Sequence, residues 1–277
     1  MKKDVIVIIG AGGIGIAIAR RQGFGKTVLL ADFNENVLDA AAAEMTDLGY
    51  AVQAQTVDIS ERVSIRALAT RAMELGPVNQ VVLAAGLSPN MAGPEKILAV
   101  DLYGTAMVLE EFESAIAPGG AGVVISSMAG HMPSPLPEDQ CSILAHMPAD
   151  EMMEMPFLKP DQFTDGGAAY AYSKRANQLR VQGASIPWGK KGARINSISP
   201  GIIMTALARH ELNSQTGPMY RQLIEGSVSN RVGSPEEVAA AAAYLLGPEA
   251  NFVTGTDLLI DGGVISAMFT GKYLQAE

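Results

Sequence analysis

Five consecutive apolar residues, Val5–Ile9, run directly into Gly10-Ala11-Gly12-Gly13-Ile14-Gly15 and then into an Ala-rich helical stretch ending near Arg20-Arg21. Read as strand, tight turn and helix, this is the spacing G-x-G-x-x-G in its structural context. Glycines let the backbone approach a pyrophosphate, and the helix N-terminus turns unpaired amides and a positive dipole end toward it. A second apolar run, Thr27 to Ala31, ends in Asp32, 17 residues after Gly15. A carboxylate there can accept both hydroxyls of an adenosine ribose and repels a 2′-phosphate, which favours NAD over NADP. Asp32 or Asn34 can also cap the helix predicted from Glu35 to Leu48, and the two roles are compatible.

Further apolar runs at Tyr50 to Val57, Asn79 to Ala84, Gly122 to Ser126, Ala193 to Ile198 and Asp257 to Ile260 bring the expected strands to seven. Helical patterns lie between them at Glu61 to Leu75, Pro94 to Ile116, Ala168 to Trp188 and Pro235 to Leu246. Continuous apolar strands joined by helices predict a single α/β domain over 1–277, a doubly wound (Rossmann) parallel sheet of seven strands with helices on both faces. At 48% hydrophobic and 5% aromatic, 277 residues suffice for one large aliphatic core.

A formal charge of -9 leaves no basic surface for nucleic acid. The lone Cys141 excludes an internal disulfide framework, and no His/Cys/carboxylate cluster has metal-ligand spacing, so no metal is expected. Met1-Lys-Lys before an apolar run superficially resembles a signal peptide, but four glycines and Asp4 argue against one. No apolar stretch is long and glycine-free enough to span a bilayer. The expectation is a cytoplasmic protein whose partners are a small-molecule substrate and copies of itself.

Tyr170 and Lys174 stand four residues apart, on one face of a predicted helix. A free tyrosine titrates near pH 10 and is a poor acid-base catalyst at neutral pH unless a nearby cation stabilises its phenolate. Lys174 can supply that cation. Tyr172 has no such partner, since Ala176 follows it at the same spacing.

With these landmarks the chain resembles the short-chain dehydrogenase/reductase family over nearly its whole length. The resemblance is carried by the Gly-rich turn, Asp58-Ile59, Ala85-Gly86, Ser126-Ser127-Met-Ala-Gly130 and Tyr170-xxx-Lys174. It continues through Arg194-Ile-Asn196-Ser-Ile-Ser-Pro200-Gly201-Ile-Ile-Met-Thr205, Arg231-Val-Gly-Ser-Pro235 and Thr254-Gly255 to Asp261-Gly262-Gly263. It implies an NAD-dependent oxidoreductase acting on CH-OH groups. Tyr170 would be the acid-base residue, Lys174 would lower its pKa and bind the nicotinamide ribose, and Ser127 would hold the substrate oxygen. It also implies cofactor contacts from Gly10, Gly12, Gly13, Ile14, Gly15 and Asp32, from Asp58 and Ile59 at the adenine, from Ala85 and Gly86, and from Pro200, Gly201, Ile203 and Thr205 facing the carboxamide. A homo-oligomer, tetramer or dimer, would assemble through the helices at Pro94 to Ile116 and Ala168 to Trp188.

Three departures from the family pattern stand out. Ile9 replaces the usual Thr of the Gly-rich turn, which is also one residue shorter. Leu83 and Ala84 replace the paired asparagines before Ala85-Gly86, which suggests a coordinated apolar substitution. Asp101, within Val100-Asp-Leu-Tyr-Gly104, replaces the usual Asn of a catalytic tetrad; ionised, it accepts hydrogen bonds and cannot donate them.

The most individual segment separates Ser127 from Tyr170, 43 positions on, an interval much longer than in relatives. This insertion, about 131–165, holds Met132, Met147, Met152, Met153 and Met155 with Pro133, Pro135, Pro137, Pro148, Pro156 and Pro160. Two readings stay open: a lid whose adaptable methionines cover an apolar, steroid-like or hydroxyacyl-like secondary alcohol or carbonyl, or a segment packed on an interface helix. A substrate loop is expected at about 206–229. His131 and His146 are further candidates for substrate contact. The alternatives to a dehydrogenase are a catalytically quiet dinucleotide-binding sensor or scaffold, and a sugar-nucleotide epimerase, which the short C-terminal part disfavours.

Overall fold

The computed structural model describes residues 2–132, 135–214 and 216–270. In chain order its elements are β1 Val5–Ile9, α1 Gly13–Gln22, β2 Thr27–Asp32, α2 Glu35–Asp47, β3 Ala51–Thr56, α3 Arg62–Leu75, β4 Val78–Leu83 and α4 Pro94–Ile97. A π-helix, Leu98–Gly104, leads into α5 Thr105–Ala115 and β5 Ile116–Ile125. There follow α6 Glu138–His146, α7 Ala149–Met152, α8 Gly166–Lys190, β6 Arg194–Pro200, α9 Ala206–Leu212, α10 Gly217–Gly226, α11 Pro235–Leu246, β7 Asp257–Ile260 and α12 Val264–Phe269.

The seven strands pair in parallel in the order β3-β2-β1-β4-β5-β6-β7. Side chains alternate across a strand, and β1 uses both faces. Val5, Val7 and Ile9 enter one core with α3, α5 and α8; Ile6 and Ile8 enter the other with α1, α2 and α11. All five are fully buried, which is why β1 reads as an unbroken apolar run rather than an alternating one. The order reverses direction at β1 and β4, opening a crevice beyond their C-terminal ends, where such sheets bind ligands.

The expected doubly wound sheet is present, with two boundary corrections. The single helix predicted over Pro94 to Ile116 is divided by the π-helix, and Ile116 begins a strand. Strand β5 is longer than Gly122 to Ser126 because it pairs Ile116 with Val78, then shifts register and resumes at Ala121 opposite Gln80. Pro118-Gly119-Gly120 in the gap masks that first pairing as a turn.

The amides of Ala84 and Ala85 both donate to the Ile9 carbonyl, at 2.7 and 2.8 Å. Gly10, at φ +103°, lies so close that a Cβ would overlap the Ala84–Ala85 backbone.

The insertion, of which Pro133 lies outside the described residues, folds as α6, α7 and two 3₁₀ turns. Leu144, Ala145, Ala149, Met152 and Leu158 join the core that contains α5 and α8. On α8 it meets Tyr172, whose hydroxyl donates to Gln140 at 3.3 Å, and Gly183, where a Cβ would overlap the Ala145 carbonyl. At 100° per residue, Tyr172 and Gly183 project about 200–220° around the helix from Tyr170, whereas Lys174 lies only about 40° away. The insertion therefore packs on the far side of α8 from the Tyr-Lys pair.

Gly183 offers a test with an inverted sign. In an ordinary helix interior Gly→Ala stabilises by about 1 kcal/mol; here Gly183→Ala should destabilise by about 1–3 kcal/mol, as overpacking does. Chemical denaturation measures it, and a stabilised variant would contradict this docking.

Candidate active site

Three elements bring the predicted catalytic residues together. Ser127 follows β5 in extended conformation, and its Oγ accepts the Ala129 amide at 3.1 Å. Ser126 Oγ donates to the Lys174 carbonyl at 2.8 Å, tying the end of β5 to α8. Gly130 makes that approach possible, since a Cβ there would overlap backbone at Lys174 and Arg175. α8 is capped by Asp165 accepting from Ala168 at 2.9 Å, and it brings Tyr170 near enough to Ser127 for the serine to lower the phenol pKa. Lys174 Nζ lies 5.2 Å from the Tyr170 ring centroid.

Asp101, in the π-helix, completes the cluster. Lys174 Nζ donates to its Oδ1 at 3.0 Å, and both side chains are almost wholly enclosed. The Leu87 amide donates to the same carboxylate at 3.2–3.3 Å. Gly86 slots between these groups; a Cβ there would meet Asp101 Oδ1 and Lys174 Nζ. A π-helical turn inserts one residue into a helix and is frequent at functional sites; here it seats Asp101. The Asp101 carbonyl accepts Thr105 Oγ1 at 2.9 Å.

The electrostatics follow from this enclosure. Burial pushes the Tyr170 phenol above its ordinary value; the Lys174 charge and the Ser127 hydrogen bond pull it down, while Asp101 and Glu211 push it up. Burial opposes the Lys174 charge, yet the neighbouring Asp101 carboxylate holds its pKa above the ordinary lysine value. Burial pushes the Asp101 carboxyl up against the pull of Lys174 and the Leu87 amide. Lys174 thus divides its charge between Asp101 and Tyr170, and in this state the phenol is not acidified as the sequence alone led one to expect.

The cofactor candidates lie at the same end of the sheet. A Cβ on Gly12 would meet nothing within 4 Å, and α1 begins there with no side-chain cap, so its first amides face open space. Gly15 lets α1 pass the Gly10 carbonyl, and Ile14 follows in the first turn of α1. Asp32 accepts Ala11 N at 2.7 Å and Asn34 N at 2.8 Å, bracing the turn, while Asn34, not Asp32, caps α2. Asp58 accepts the amide and hydroxyl of Ser60 at 2.9 and 2.6 Å. The Ile59 side chain and carbonyl are packed against Gly104, while Asp58 is only half-buried.

The loop after β6 closes over the turn. Gly201 N donates to the Ile260 carbonyl at 3.0 Å, Ile203 is buried and bridges to Gly233, and Thr205 caps α9 while its Cγ2 lies 3.2 Å from where a Gly13 Cβ would sit. An open glycine cradle at a helix N-terminus, beside a carboxylate one strand away, fits a dinucleotide.

Other candidates are placed elsewhere. His131 Nε2 lies 2.8 Å from Asp257 Oδ2, and Asp257 Oδ1 also accepts Ser197 and Ser199, so His131 is bound to the sheet edge. His146 lines a cavity of about 460 Å³ between α5, α8 and the insertion, with Arg180 and Ile186. On α8 that cavity begins at Arg180, ten residues and about 15 Å along the helix from Tyr170. Sequence reading passed over Ser88 and Glu211, which belong to no motif; Ser88 Oγ and Glu211 Oε1 are buried without a hydrogen-bond partner among the described residues. Those residues also contain no group of His, Cys, Asp and Glu able to hold a metal, and no helix long and apolar enough to cross a membrane.

Two family models match the chain: short chain dehydrogenase over residues 4–137 and enoyl-(acyl carrier protein) reductase over 149–265. The short-chain dehydrogenase/reductase bsc3 of Alternaria brassicicola is 44% identical over 267 residues, 96% of this chain and 97% of that protein. Galactitol 2-dehydrogenase (L-tagatose-forming) of Cereibacter sphaeroides is 29% identical over 92% of each chain. Among solved structures, the 3-alpha-hydroxysteroid dehydrogenase of Pseudomonas sp. B-0831, complexed with NADH, superposes with TM-score 0.77 at 26% identity, over 96% of this chain and 98% of that one.

Asp101 makes a prediction about pH. Where Tyr170 acts as a base it must lose its proton, so turnover should rise toward alkaline pH. Asp101→Asn removes a negative charge that raises the Tyr170 pKa and should move the midpoint of that rise to lower pH. An unmoved or more alkaline midpoint would contradict the assignment.

Proposed function

The chain belongs to the short-chain dehydrogenase/reductase family, and we propose that it transfers a hydride between NAD(H) and the oxygen-bearing carbon of a secondary alcohol or carbonyl compound. The observation that carries this reading is the convergence of Ser127, Tyr170 and Lys174 beside an open glycine cradle. Bound there, a nicotinamide supplies the acceptor or donor of the hydride. In the oxidative direction Tyr170, as phenolate, accepts the hydroxyl proton while the carbinol hydrogen leaves with its electron pair, giving the carbonyl. Ser127 holds the substrate oxygen and stabilises charge developing on it. Lys174 balances the phenolate. In reduction Tyr170 returns the proton. The fourth position is held by Asp101, which positions Lys174 instead of presenting an amide.

Asp32 supports NAD over NADP, because its carboxylate repels a 2′-phosphate and Phe33-Asn34-Glu35 offers no cation to pair with one. The NADH bound by the hydroxysteroid dehydrogenase neighbour agrees with this preference. An apolar substrate body finds support in a cluster of Met128, Leu223, Val264 and Ile265 next to Ser127. Met152, in the insertion, is buried in the core shared with α5 and α8, and the insertion docks on α8 at Tyr172 and Gly183. The lid reading is therefore set aside for the other, in which the insertion covers part of the α5–α8 surface. A tetramer of D2 symmetry needs two kinds of two-fold interface; with this helix surface partly covered, we infer a homodimer formed elsewhere. A cytoplasmic location accords with the single unpaired Cys141.

Tyr170→Phe should lower kcat by about 10²–10⁴-fold, the usual worth of a positioned proton-transfer group, with NAD affinity unchanged by calorimetry. Turnover comparable to wild type would refute the mechanism, and NAD binding by the wild type without turnover of any secondary alcohol would favour a sensor or scaffold. Light scattering should give a dimer; a tetramer would contradict the inferred role of the insertion.

A further inference from the structure

Glu211 stands on α9, within the loop expected to meet substrate, yet it is 9% exposed and its Oε1 has no hydrogen-bond partner among the described residues. Its backbone carbonyl is used by Ser214, whose hydroxyl donates at 2.7 Å, but that leaves Oε1 unanswered. Ser88, 6% exposed, is in the same condition: its amide donates to Met91 Sδ at 3.3 Å, while Oγ has no partner. Buried polar atoms are nearly always hydrogen-bonded, and an ionised carboxylate is the costliest to leave unpaired.

Both atoms belong to the catalytic end of the molecule. Ser88 follows Gly86, which is wedged against Asp101 and Lys174. The start of α9 is held over Gly13 by Thr205, and beyond its end Asn90 Nδ2 donates to Thr216 Oγ1 at 3.1 Å, joining the loop of Ser88 to the loop of Glu211. Tyr220, within side-chain hydrogen-bonding reach of Glu211, packs with Met128, the residue after Ser127. The Glu211 charge is felt at the Tyr170 phenol as well.

We propose that Glu211 and Ser88 form a second anchor for the substrate, selecting an alcohol that carries another hydroxyl close to the reacting carbinol. A hydroxyl suits this pair because it donates and accepts at once: its proton goes to Glu211 Oε1 and its lone pair receives the Ser88 hydroxyl. An ammonium would answer only the first. Such a handle fixes which carbon of an otherwise apolar substrate meets Tyr170. A site built to hydrogen-bond a substrate hydroxyl rejects the analogue that lacks it, because its own buried groups are then left unpaired. The inference rests on the hydride-transfer reading above.

The test compares kcat/KM, by NADH absorbance, for cyclohexanol and for the cis and trans vicinal cyclohexanediols. The wild type should prefer one diol over cyclohexanol by on the order of tenfold or more, the worth of a hydrogen bond to a charged group. Glu211→Gln and Ser88→Ala should each reduce that ratio, Glu211→Gln the more. A merely structural role would lower both substrates together and leave the ratio unchanged, and thermal unfolding of each variant reports folding independently. A wild-type ratio near one, or a ratio unmoved in both variants, overturns the anchor and leaves the dehydrogenase reading standing. Oxidation of neither class by the wild type overturns both.

Discussion

A lysine ammonium and an aspartate carboxylate, 3.0 Å apart and nearly sealed from water, organise the centre of this protein. Neither charge is tolerable there alone: desolvation costs several kcal/mol per ion, and only close pairing with further hydrogen bonds offsets it. Every neighbouring feature serves that pairing. The π-helix seats Asp101, Gly86 leaves room for both heads, the Leu87 amide adds a third polar contact, and Ser126 ties the backbone of Lys174 to the end of β5. Tyr170 sits at the edge of this arrangement and receives only the share of the Lys174 charge that Asp101 leaves it.

That division explains why a one-atom change from the family pattern matters. An Asn at position 101 would be neutral, and Lys174 would act on Tyr170 undivided. With Asp, the carboxylate beside Lys174 pushes the Tyr170 phenol up.

Much of this was legible in the sequence because it is local. The Gly-rich turn, the strand of Val5–Ile9, the ending at Asp32 and the four-residue spacing of Tyr170 and Lys174 each follow from neighbours along the chain. So does the likeness to the family. What could not be read depends on distant contacts. The face of α8 that receives the insertion is set by Gly183 opposite Ala145, and nothing around either residue announces it. The π-helix at Asp101 looks like ordinary helix in periodicity. The Ile9 carbonyl, which receives the amides of both Ala84 and Ala85, is a backbone atom with no sequence signature. Ser88 and Glu211 emerge only when buried polar atoms are matched with partners in three dimensions.

The charge division at Lys174 is tested most directly by the titration of Tyr170 itself. In protein carrying ¹³Cζ-labelled tyrosine, the Tyr170 resonance is identified by its absence from Tyr170→Phe and followed with pH by NMR in the cofactor-free state. The account predicts a midpoint above the ordinary tyrosine value of about 10. A midpoint well below that value would show that Lys174 acidifies the phenol in spite of Asp101, and would contradict it.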